Sequence, residues 1–402
     1  MKTLKKAYCR TYQTIFKLAL PVLPYRKPQV LKKVDLLPAL FVSQKVERVL
    51  LVTDASIRAL GLTSHLEQVL AQKQIQCIVY DKTVANPTTV NVEDARMLYL
   101  KHECQAIIGF GGGSSMDCAK AVGARIAKPK QSLAKMKGIL KIHKRLPLLV
   151  AIPTTAGTGS ETTLAAVITD SVSRHKYPIN DFVLIPHYAV LDAEVTRTLP
   201  QQVTATTGMD ALTHAVEAYI GRSTTRETRR DAVEAVKLIF ANLELACADG
   251  SNMTARANLL RASFLAGSAF TKSYVGYVHA VAHSLGGQYN VPHGLANAVL
   301  LPYVLKAYGE TVYASLHRLA VAAGVAEQDD SPQTGARKFI NAIEAMNEKL
   351  GIPRTIAGIR QEDIEQLARY ADKEANPLYP VPKLMDAREL EQFYRAVMEE
   401  TT

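Results

Sequence analysis

Three closely spaced histidines are the first residues in the chain that suggest chemistry. The stretch VHAVAHSLGGQYNVPHGLANA, residues 278–298, contains three of the ten histidines of the chain. His279 and His283 are four positions apart, the spacing that brings two side chains to one face of a helix. We interpret the following SLGGQYNVP as a turn that returns His293 to the same cluster. A single histidine on an apolar face is more often a core residue, whereas a group of this kind indicates a metal site.

A carboxylate and a further histidine lie upstream, in MDALTHAVEAY. Asp210 and His214 are also four positions apart and project from one face of a predicted helix. One carboxylate with two or three imidazoles suits Fe²⁺, Zn²⁺, Mn²⁺ or Co²⁺ in a catalytic site with an open position. The sequence therefore predicts a site for a divalent metal.

Two glycine-rich loops follow predicted strands. In GFGGGSSMDCAKA (109–121) the glycines precede a helix, whose free N–H groups and dipole favour a phosphate. We expect Ser114 to cap that helix and Asp117 to return a hydrogen bond, as in a capping box. The second loop, IPTTAGTGSE (152–161), carries hydroxyls that a pyrophosphate or ribose would use. Either loop alone could be a ligand-free turn, but two at the ends of parallel strands favour a bound dinucleotide.

An acid at the end of a strand could add to this nucleotide site. Asp54 closes the predicted strand VLLVTD, where a carboxylate can accept hydrogen bonds from an adenosine ribose and repel a 2′-phosphate. An aspartate after a strand is more often a helix cap, so its interpretation depends on the two loops.

The elements that must position these residues fall into two regions. Residues 45–200 alternate between helical patterns and apolar runs, and this alternation predicts an α/β domain with a parallel sheet covered by helices. The predicted strands, buried on both faces, are RVLLVTD (48–54), CIVYD (77–81), QAIIGFGGG (105–113) and LLVAIPTT (148–155). Residues 201–402 show long helical periodicity, as in DAVEAVKLIFANLELACA (231–248), which predicts an all-helical domain.

Length and composition limit the class of protein. A chain of 402 residues exceeds the usual size of one hydrophobic core, so two domains are expected. No apolar run reaches the roughly 18 residues of a membrane span. The five cysteines are scattered and form no CxxC pair, which argues against a disulfide scaffold or a zinc ribbon. They fit a reducing compartment, and we expect the protein to be cytoplasmic.

Most of the net charge of +11 comes from a basic N-terminal extension, residues 1–44, whose first 34 residues contain nine Lys or Arg and no acid. Because the charge is local, it does not predict a nucleic-acid-binding face. Lys17 and Pro21 interrupt the apolar stretch and disfavour a secretory signal, and a transit peptide is a weaker alternative. A helix ending before Pro21 is predicted by apolar residues at three- and four-residue spacing: Leu4, Tyr8, Tyr12, Ile15 and Ala19. We expect it to dock on the body or a partner subunit, or else to bind an anionic surface weakly.

Four segments resemble, in order and spacing, the signatures of the iron-containing (group III) alcohol dehydrogenases: GFGGGSSMDCAKA, IPTTAGTGSE, MDALTHAVEAY and GYVHAVAHSLGGQYNVPHGLANAVLLPYV. The stretches LIPHYAVLDAEVTRTLP and ARANLLRASFLAGSAF resemble the family as well. The resemblance is close over residues 45–310 and looser elsewhere. It implies a nucleotide-binding α/β domain followed by an all-α domain, the dehydroquinate-synthase-like fold that glycerol dehydrogenase shares.

The resemblance also implies roles for individual residues. The implied metal ligands are Asp210, His214, His279 and His293. His283 matches a catalytic-site histidine that lies near the nicotinamide and does not bind the metal. The implied cofactor-binding residues are Gly111, Gly112, Gly113, Ser114 and Asp117 in the first loop, Thr154, Thr155 and Thr158 in the second, and Asp54, which favours NAD over NADP.

The resemblance thus implies an NAD-dependent, metal-requiring alcohol dehydrogenase or aldehyde reductase. We expect a divalent metal, Fe²⁺ first and Zn²⁺ as the alternative, a small alcohol or aldehyde substrate, and a homo-oligomer, a dimer or higher. A lyase like dehydroquinate synthase or an enzyme like glycerol dehydrogenase is an alternative on the same fold. A non-catalytic binding protein is disfavoured because all four implied ligands and both loops are present.

One stretch departs from the family pattern. In AFTKSYVGYVHA, Lys272, Ser273 and Tyr274 stand where many members have asparagine followed by small residues. We expect this stretch to help line the substrate pocket, with a solvated surface position for Lys272 as the alternative. Ala193 follows Asp192 where the family often has proline, which we interpret as a harmless change in a turn.

Overall fold

Two compact units make up the chain in the computed structural model, which describes Met1 and residues 3–399. An α/β unit spans Pro24–Thr198, and a helical unit combines Met1–Leu23 with the chain from Leu199 onward. Residues 24–44, predicted to belong to the N-terminal extension, contribute a strand and a helix to the α/β unit. The predicted domain limits at residues 44 and 200 stay predictions.

The secondary structure follows the predicted change from alternating strands and helices to helices alone. The strands are β1 (Gln29–Leu31), β2 (Arg48–Val52), β3 (Gln76–Tyr80), β4 (Ala106–Gly111), β5 (Gly138–Ile139), β6 (Leu148–Pro153), β7 (Ala165–Thr169), β8 (Lys176–Asn180) and β9 (Tyr188–Val190). The α-helices are α1 (Thr3–Ala19), α2 (Leu37–Ser43), α3 (Ala55–Ala59), α4 (Ser64–Ala71), α5 (Thr89–Lys101), α6 (Gly113–Ala127), α7 (Leu133–Met136), α8 (Gln201–Ile220), α9 (Arg226–Ala248), α10 (Met253–Ser273), α11 (Tyr277–Tyr289), α12 (His293–Tyr308), α13 (Glu310–Ala322), α14 (Pro332–Lys349), α15 (Ile364–Ala375) and α16 (Ala387–Val397).

A six-stranded parallel sheet organises the α/β unit, in the order β1-β9-β6-β4-β2-β3. The chain runs from β2 to β3 on one side and then returns to β4 on the other side of β2. This reversal is a topological switch point, and ligands of such sheets bind at the carboxyl ends of the strands beside it. The sheet and the helical second unit confirm the predicted fold class.

The central strands are buried on both faces, as their continuous apolar sequences predict. Leu50 and Val52 contribute to one core, which also contains residues of α5 and α6. Val49 and Leu51 contribute to a second core, which contains residues of α2 and α4. Alternate side chains of one strand therefore supply both layers, since successive strand residues point to opposite faces.

A second, three-stranded sheet, in the order β5-β8-β7, is not evident from the sequence pattern. Its β7 and β8 are antiparallel neighbours, and along both strands buried and more exposed residues alternate. Such short strands with one exposed face give a weaker sequence signal than strands buried on both faces.

The helical unit is built on α8, α9 and α10, which pack against one another. Its helix α1 ends at Ala19, before Pro21 as predicted, and docks within this unit. The docked face is not the apolar one that the residue spacing suggested: Leu4 is 86% and Ile15 63% exposed, whereas Gln13 is buried. Polar contacts described below hold the helix, Cys9 is buried beside them, and Leu4 and Ile15 face outward.

The cysteines and the hydropathy of the helices agree with the expectations from composition. Each of the five cysteines is a free thiol. Across the described residues, no helix combines the length and the apolar character that a membrane crossing requires.

His187 links two neighbouring strands of the large sheet. Its backbone N–H donates to the Leu149 carbonyl at 2.8 Å, and its Nδ1 accepts from the Leu149 N–H at 3.0 Å. Burial lowers the pKa of the His187 imidazole to about 4, and the charges of Arg26 and Arg145 act in the same direction. An Nδ1 atom that accepts a hydrogen bond carries no proton, so the fold requires this neutral form.

We expect acid to destabilise the protein partly through His187. The folded pKa lies below the unfolded value of 6.5, so the unfolded chain binds the additional proton between these two values. The stabilisation is complete above the unfolded pKa and is lost as the pH falls toward the folded one. His187→Gln keeps an acceptor for Leu149 without titrating, so its Tm should fall less than that of the wild type between about pH 7 and pH 4.5. Equal losses in calorimetric scans would contradict this prediction.

Candidate functional site

Helix α8 provides two buried polar residues, Asp210 and His214, one turn apart. The His214 ring stacks on Phe270 of α10, with ring centroids 4.1 Å apart, and on its other side the ring of His279 lies at 4.4 Å. This packing fixes the plane of the imidazole. The Nδ1 atom of His214 lies 3.9 Å from Oδ1 of Asp210.

Helix α11 carries His279 and His283, again one turn apart. The expected turn over SLGGQYNVP is wrong, because α11 continues through both glycines to Tyr289. The helix ends at Asn290, which has the left-handed conformation (φ 56°, ψ 30°) that closes many helices. The actual turn is only Asn290–Pro292, and His293 is the first residue of α12.

A glycine allows the start of α12 to approach α8 closely. A Cβ atom on Gly294 would lie 2.5 Å from the Thr206 carbonyl oxygen. Because that oxygen belongs to the backbone, no side-chain rotation could remove the clash. The close approach brings Nε2 of His293 to 3.4 Å from Oδ1 of Asp210. Asn297, one turn further along α12, donates to that same oxygen at 2.7 Å.

The four residues converge as the sequence predicts. One donor atom from each lies within 4.8 Å of the donors of the others: Asp210, His214, His279 and His293. The Nε2 atom of His279 is buried and, among the described residues, has no hydrogen-bond partner. Burial, with the neighbouring histidines, lowers the pKa of His279 well below its usual value, so the ring is neutral. A buried carboxylate that faces three imidazoles fits a divalent cation.

A buried carboxylate that the sequence analysis missed orients His279. Glu217 accepts hydrogen bonds from the His279 Nδ1 at 2.6 Å and from the N–H groups of Gly276 and Val278 at 2.8 Å each. With Nδ1 donating, Nε2 presents its lone pair to the cluster. Burial raises the Glu217 pKa to about 7, and the two backbone donors oppose that rise. Its position seven residues after Asp210, on the same face of α8, is the signal that could have identified it.

His283 lies beside the cluster and has a different partner. Its ring stacks on that of His293, with centroids 5.1 Å apart, while its Nδ1 lies 2.6 Å from Oε1 of Glu374 on α15. The hydroxyl of Tyr379 donates to the same Glu374 oxygen at 2.7 Å. Neither Glu374 nor Tyr379 belongs to a motif that the sequence analysis recognised.

In the α/β unit, the first glycine loop continues from the end of β4. Gly111 has φ +147°, and a Cβ there would lie 2.6 Å from the Ser115 hydroxyl, so a side chain is excluded. The expected capping box is wrong, because α6 begins at Gly113 and has no side-chain cap. Ser114 instead accepts from the Asn86 N–H at 3.3 Å. An uncapped helix start fits an anion such as a pyrophosphate.

Asp117 points away from the helix start toward the second loop. Its carboxylate accepts from the Ser160 hydroxyl at 2.7 Å and from the Val167 N–H at 3.0 Å. The buried ammonium of Lys120 donates to Ser160, to Thr163 and to the Ala165 carbonyl, each within 2.9 Å. The structure therefore gives Asp117 a role in holding the two loops together, and a direct contact with a cofactor stays a prediction.

The second loop lies beside the first at the same edge of the sheet. Thr154 donates its backbone N–H to the Gly111 carbonyl at 3.0 Å. A Cβ on Gly112 would lie 3.8 Å from Thr155 Oγ1, and one on Gly113 would lie 3.2 Å from Thr158 Cγ2. The predicted glycines and threonines thus form one contiguous surface, as expected for neighbouring parallel strands.

Asp54 lies at this edge too. It caps α3 by accepting from the Ile57 N–H at 3.0 Å, and the Ser115 hydroxyl donates to its other oxygen at 3.4 Å. The helix-cap interpretation is therefore correct, and the contact with Ser115 also places the carboxylate beside the first glycine loop. Preference for NAD stays a prediction.

The stretch that departs from the family pattern has identifiable partners. Lys272 donates to Glu227 at 2.6 Å and is mostly buried, so it is not the solvated residue of the alternative interpretation. Tyr274 has φ +60° and ψ −178°, a conformation that costs a non-glycine residue energy. Its ring packs edge-on against Phe16 of α1, with centroids 5.0 Å apart. A role in lining a substrate pocket stays a prediction.

Comparison with known proteins covers both units. The model described as "Iron-containing alcohol dehydrogenase" matches residues 31–193, and that described as "Fe-containing alcohol dehydrogenase family, C-terminal" matches residues 204–398. The crystal structure of 1,3-propanediol oxidoreductase is 34% identical, superimposes with a TM-score of 0.88, and covers 92% of this chain and 98% of that chain.

Named relatives agree with these matches. The 1,3-propanediol dehydrogenase of Citrobacter freundii is 37% identical over 87% of this chain and 91% of that protein. The NAD-dependent methanol dehydrogenase of Bacillus methanolicus is 36% identical over 81% of this chain and 86% of that protein. The chain therefore belongs to the iron-containing alcohol dehydrogenase family and is an oxidoreductase acting on CH–OH groups.

Proposed function

We propose that the chain interconverts alcohols and aldehydes with NAD(H) and a divalent cation held by Asp210, His214, His279 and His293. The observation that carries the proposal is the convergence of these four donors, within 4.8 Å of one another, around a buried imidazole nitrogen that lacks a hydrogen-bond partner among the described residues. The family description supports Fe²⁺, with Zn²⁺ as the alternative. A small primary alcohol or its aldehyde is the proposed substrate class.

We propose that NAD binds the glycine and threonine surface of the α/β unit. The uncapped start of α6 supports a pyrophosphate there, and the hydroxyls of Thr155 and Thr158 supply further donors beside it. Asp54 supports NAD over NADP because its carboxylate would repel a 2′-phosphate. The NAD-dependent relative from Bacillus methanolicus also supports this cofactor.

The chemistry divides between the bound groups and the chain. A divalent cation supplies Lewis acidity toward an alcohol or carbonyl oxygen, and NAD(H) supplies the hydride acceptor or donor. Asp210 contributes the single negative charge of the cluster, while Glu217 holds the proton of His279 on Nδ1 and keeps Nε2 available. His283 can exchange a proton with Glu374 through Nδ1, and we propose that this histidine faces the cofactor.

A cytoplasmic location and a homo-oligomeric state complete the proposal. Both were predicted from the sequence, and the free cysteines support a reducing compartment. Analytical ultracentrifugation tests the homo-oligomeric state, and a monomer would contradict it.

Removal of a central ligand should separate a metal site from a packing role. We expect His279→Ala to lose the metal and, because Lewis acidity is worth several kcal/mol, to lower turnover about a thousandfold. The control is His65→Ala, which removes an exposed imidazole beside Asp35. Metal analysis and NADH formation with primary alcohols test both variants. A folded His279→Ala protein that keeps stoichiometric metal would contradict the assignment.

Glu217→Gln should weaken metal binding without removing a ligand. The amide cannot accept hydrogen bonds at both of its ends, so His279 loses its fixed orientation or a backbone donor loses its acceptor. We expect metal affinity to fall by about 10- to 100-fold. Competition with a chelator measures this affinity, and an unchanged value would exclude an orienting role for Glu217.

Asp54→Asn should relax the choice of cofactor while keeping an acceptor that can cap α3. Loss of the negative charge removes repulsion of the 2′-phosphate, and we expect the ratio of kcat/KM for NADP to that for NAD to rise about tenfold. Asp35→Asn, which removes an exposed acid in the same unit, is the control. If both variants keep the wild-type ratio, Asp54 does not select the cofactor.

A further inference from the structure

The N-terminal helix α1 is hydrogen-bonded to an irregular segment that follows α15. Residues 376–382, NPLYPVP, contain three prolines, which lack N–H donors and prevent a regular helix or a full strand ladder. The carbonyl groups of the segment therefore need donors from elsewhere. Gln13 and Arg10 of α1 donate to four of these carbonyl groups, and the Arg222 N–H donates to the Pro380 carbonyl at 2.7 Å.

Two side chains of α1 make these hydrogen bonds. Gln13, only 3% exposed, donates through Nε2 to the Tyr379 carbonyl at 2.7 Å and to the Pro377 carbonyl at 3.2 Å. Arg10 donates to the Val381 and Pro382 carbonyls at 2.7 and 2.8 Å, and to Oε1 of Gln13 at 2.8 Å. A buried glutamine with both ends engaged has one orientation, so the contact is specific.

Tyr379 is the residue of the segment with the most contacts that lead back to α1. Gln13 holds its backbone, and its ring lies 6.2 Å from that of Tyr274, which in turn meets Phe16 of α1 at 5.0 Å. Tyr274 has a strained backbone, with φ +60°, at this contact. Helix α1 thus contacts Tyr379 directly through Gln13 and indirectly through Phe16.

Tyr379 continues the path toward the metal cluster. Its hydroxyl and the Nδ1 of His283 both meet Oε1 of Glu374, at 2.7 and 2.6 Å. The His283 ring stacks on His293, one of the proposed ligands. Displacement of Tyr379 would release the Glu374 carboxylate and with it the orientation of His283.

We infer that α1 is a positioning element of the active site, which acts through Gln13, Tyr379 and Glu374 on the His283 ring. The helix precedes residue 31, where the family match begins. It is therefore an additional element, outside the matched residues, that supports His283. The inference rests on the proposed function in one respect, that His283 faces the cofactor. Gln13, Tyr379 and Glu374 are positioning residues, since none of them is proposed to touch substrate.

The test uses the full-length protein with three single variants and one double variant. Gln13→Ala removes the hydrogen bonds from Gln13 to the Pro377 and Tyr379 carbonyl groups, and Tyr379→Phe removes only the hydroxyl that donates to Glu374. Thr14→Ala is the matched control, because this neighbour on α1 is exposed and its hydroxyl donates to the Arg10 carbonyl of its own helix. Gln13→Ala/Tyr379→Phe completes a double-mutant cycle.

We expect Gln13→Ala and Tyr379→Phe each to lower kcat about fivefold, because each loosens the support of Glu374 and thereby of His283, with KM for the alcohol and metal content unchanged. The double variant should lose no more than the larger single effect, since both changes interrupt one path. Thr14→Ala should match the wild type. Amide exchange in residues 376–382 should accelerate in Gln13→Ala and remain at the wild-type rate in the control.

The outcomes separate the two proposals. Wild-type protein that binds metal but shows no NAD-linked turnover overturns the proposed function, whatever the exchange rates are. An active wild type with unchanged kcat in Gln13→Ala, or with fully additive losses in the double variant, overturns the positioning role of α1. Loss of metal from Gln13→Ala also overturns it, because the helix would then support the ligands and not His283.

Discussion

Burial of two carboxylates on one helix is the constraint on which the helical unit depends. Asp210 and Glu217 lie two turns apart on α8, each at most 3% exposed, and a buried carboxylate is costly unless donors or a cation surround it. Glu217 accepts hydrogen bonds from two backbone N–H groups at the start of α11 and from Nδ1 of His279, and these contacts fix the start of that helix. Asp210 has Asn297 and three imidazoles around it. The helices are therefore arranged by what these acids require.

In the α/β unit, the corresponding requirement is to hold the loops at the carboxyl edge of the sheet in place. Three neighbouring strands, β2, β4 and β6, end there, and each is followed by a loop or a helix start. The buried Lys120 and the carboxylate of Asp117 tie the second loop to α6 from behind. Rigid support from beneath leaves the outer surface of both loops available for a phosphate and a ribose.

The sequence predicted what local patterns determine and missed what long-range contacts determine. Buried strands such as Arg48–Val52 and helix-spaced pairs such as His279 and His283 follow from periodicity, and the structure contains them. Glu374 and Tyr379 lie about ninety residues from His283 and belong to no motif, so only the folded chain brings them together. The length of α11 was underestimated because two glycines suggested a turn, while the packed helix tolerates them and ends at Asn290.

The outward apolar stripe of α1 shows where sequence patterns mislead. Leu4 and Ile15 have the spacing of a buried face, yet both are exposed, and the helix docks on the proline-rich segment through Gln13 and Arg10, which donate to backbone carbonyl groups. Periodicity identified the helix correctly and assigned the wrong side to the interior. Hydrogen-bond demand on the partner segment, which a window of local sequence does not contain, decided the docked face.

The four converging donors come from three separate helices, α8, α11 and α12, and the donors of α8 are some seventy residues earlier in the chain. An unfolded chain cannot hold them together, so a cation that binds them binds only the folded helical unit. By thermodynamic linkage its binding free energy adds to the free energy of unfolding, and the addition grows with the free metal concentration. Supply of the metal then governs how long the protein survives as well as how fast it turns over.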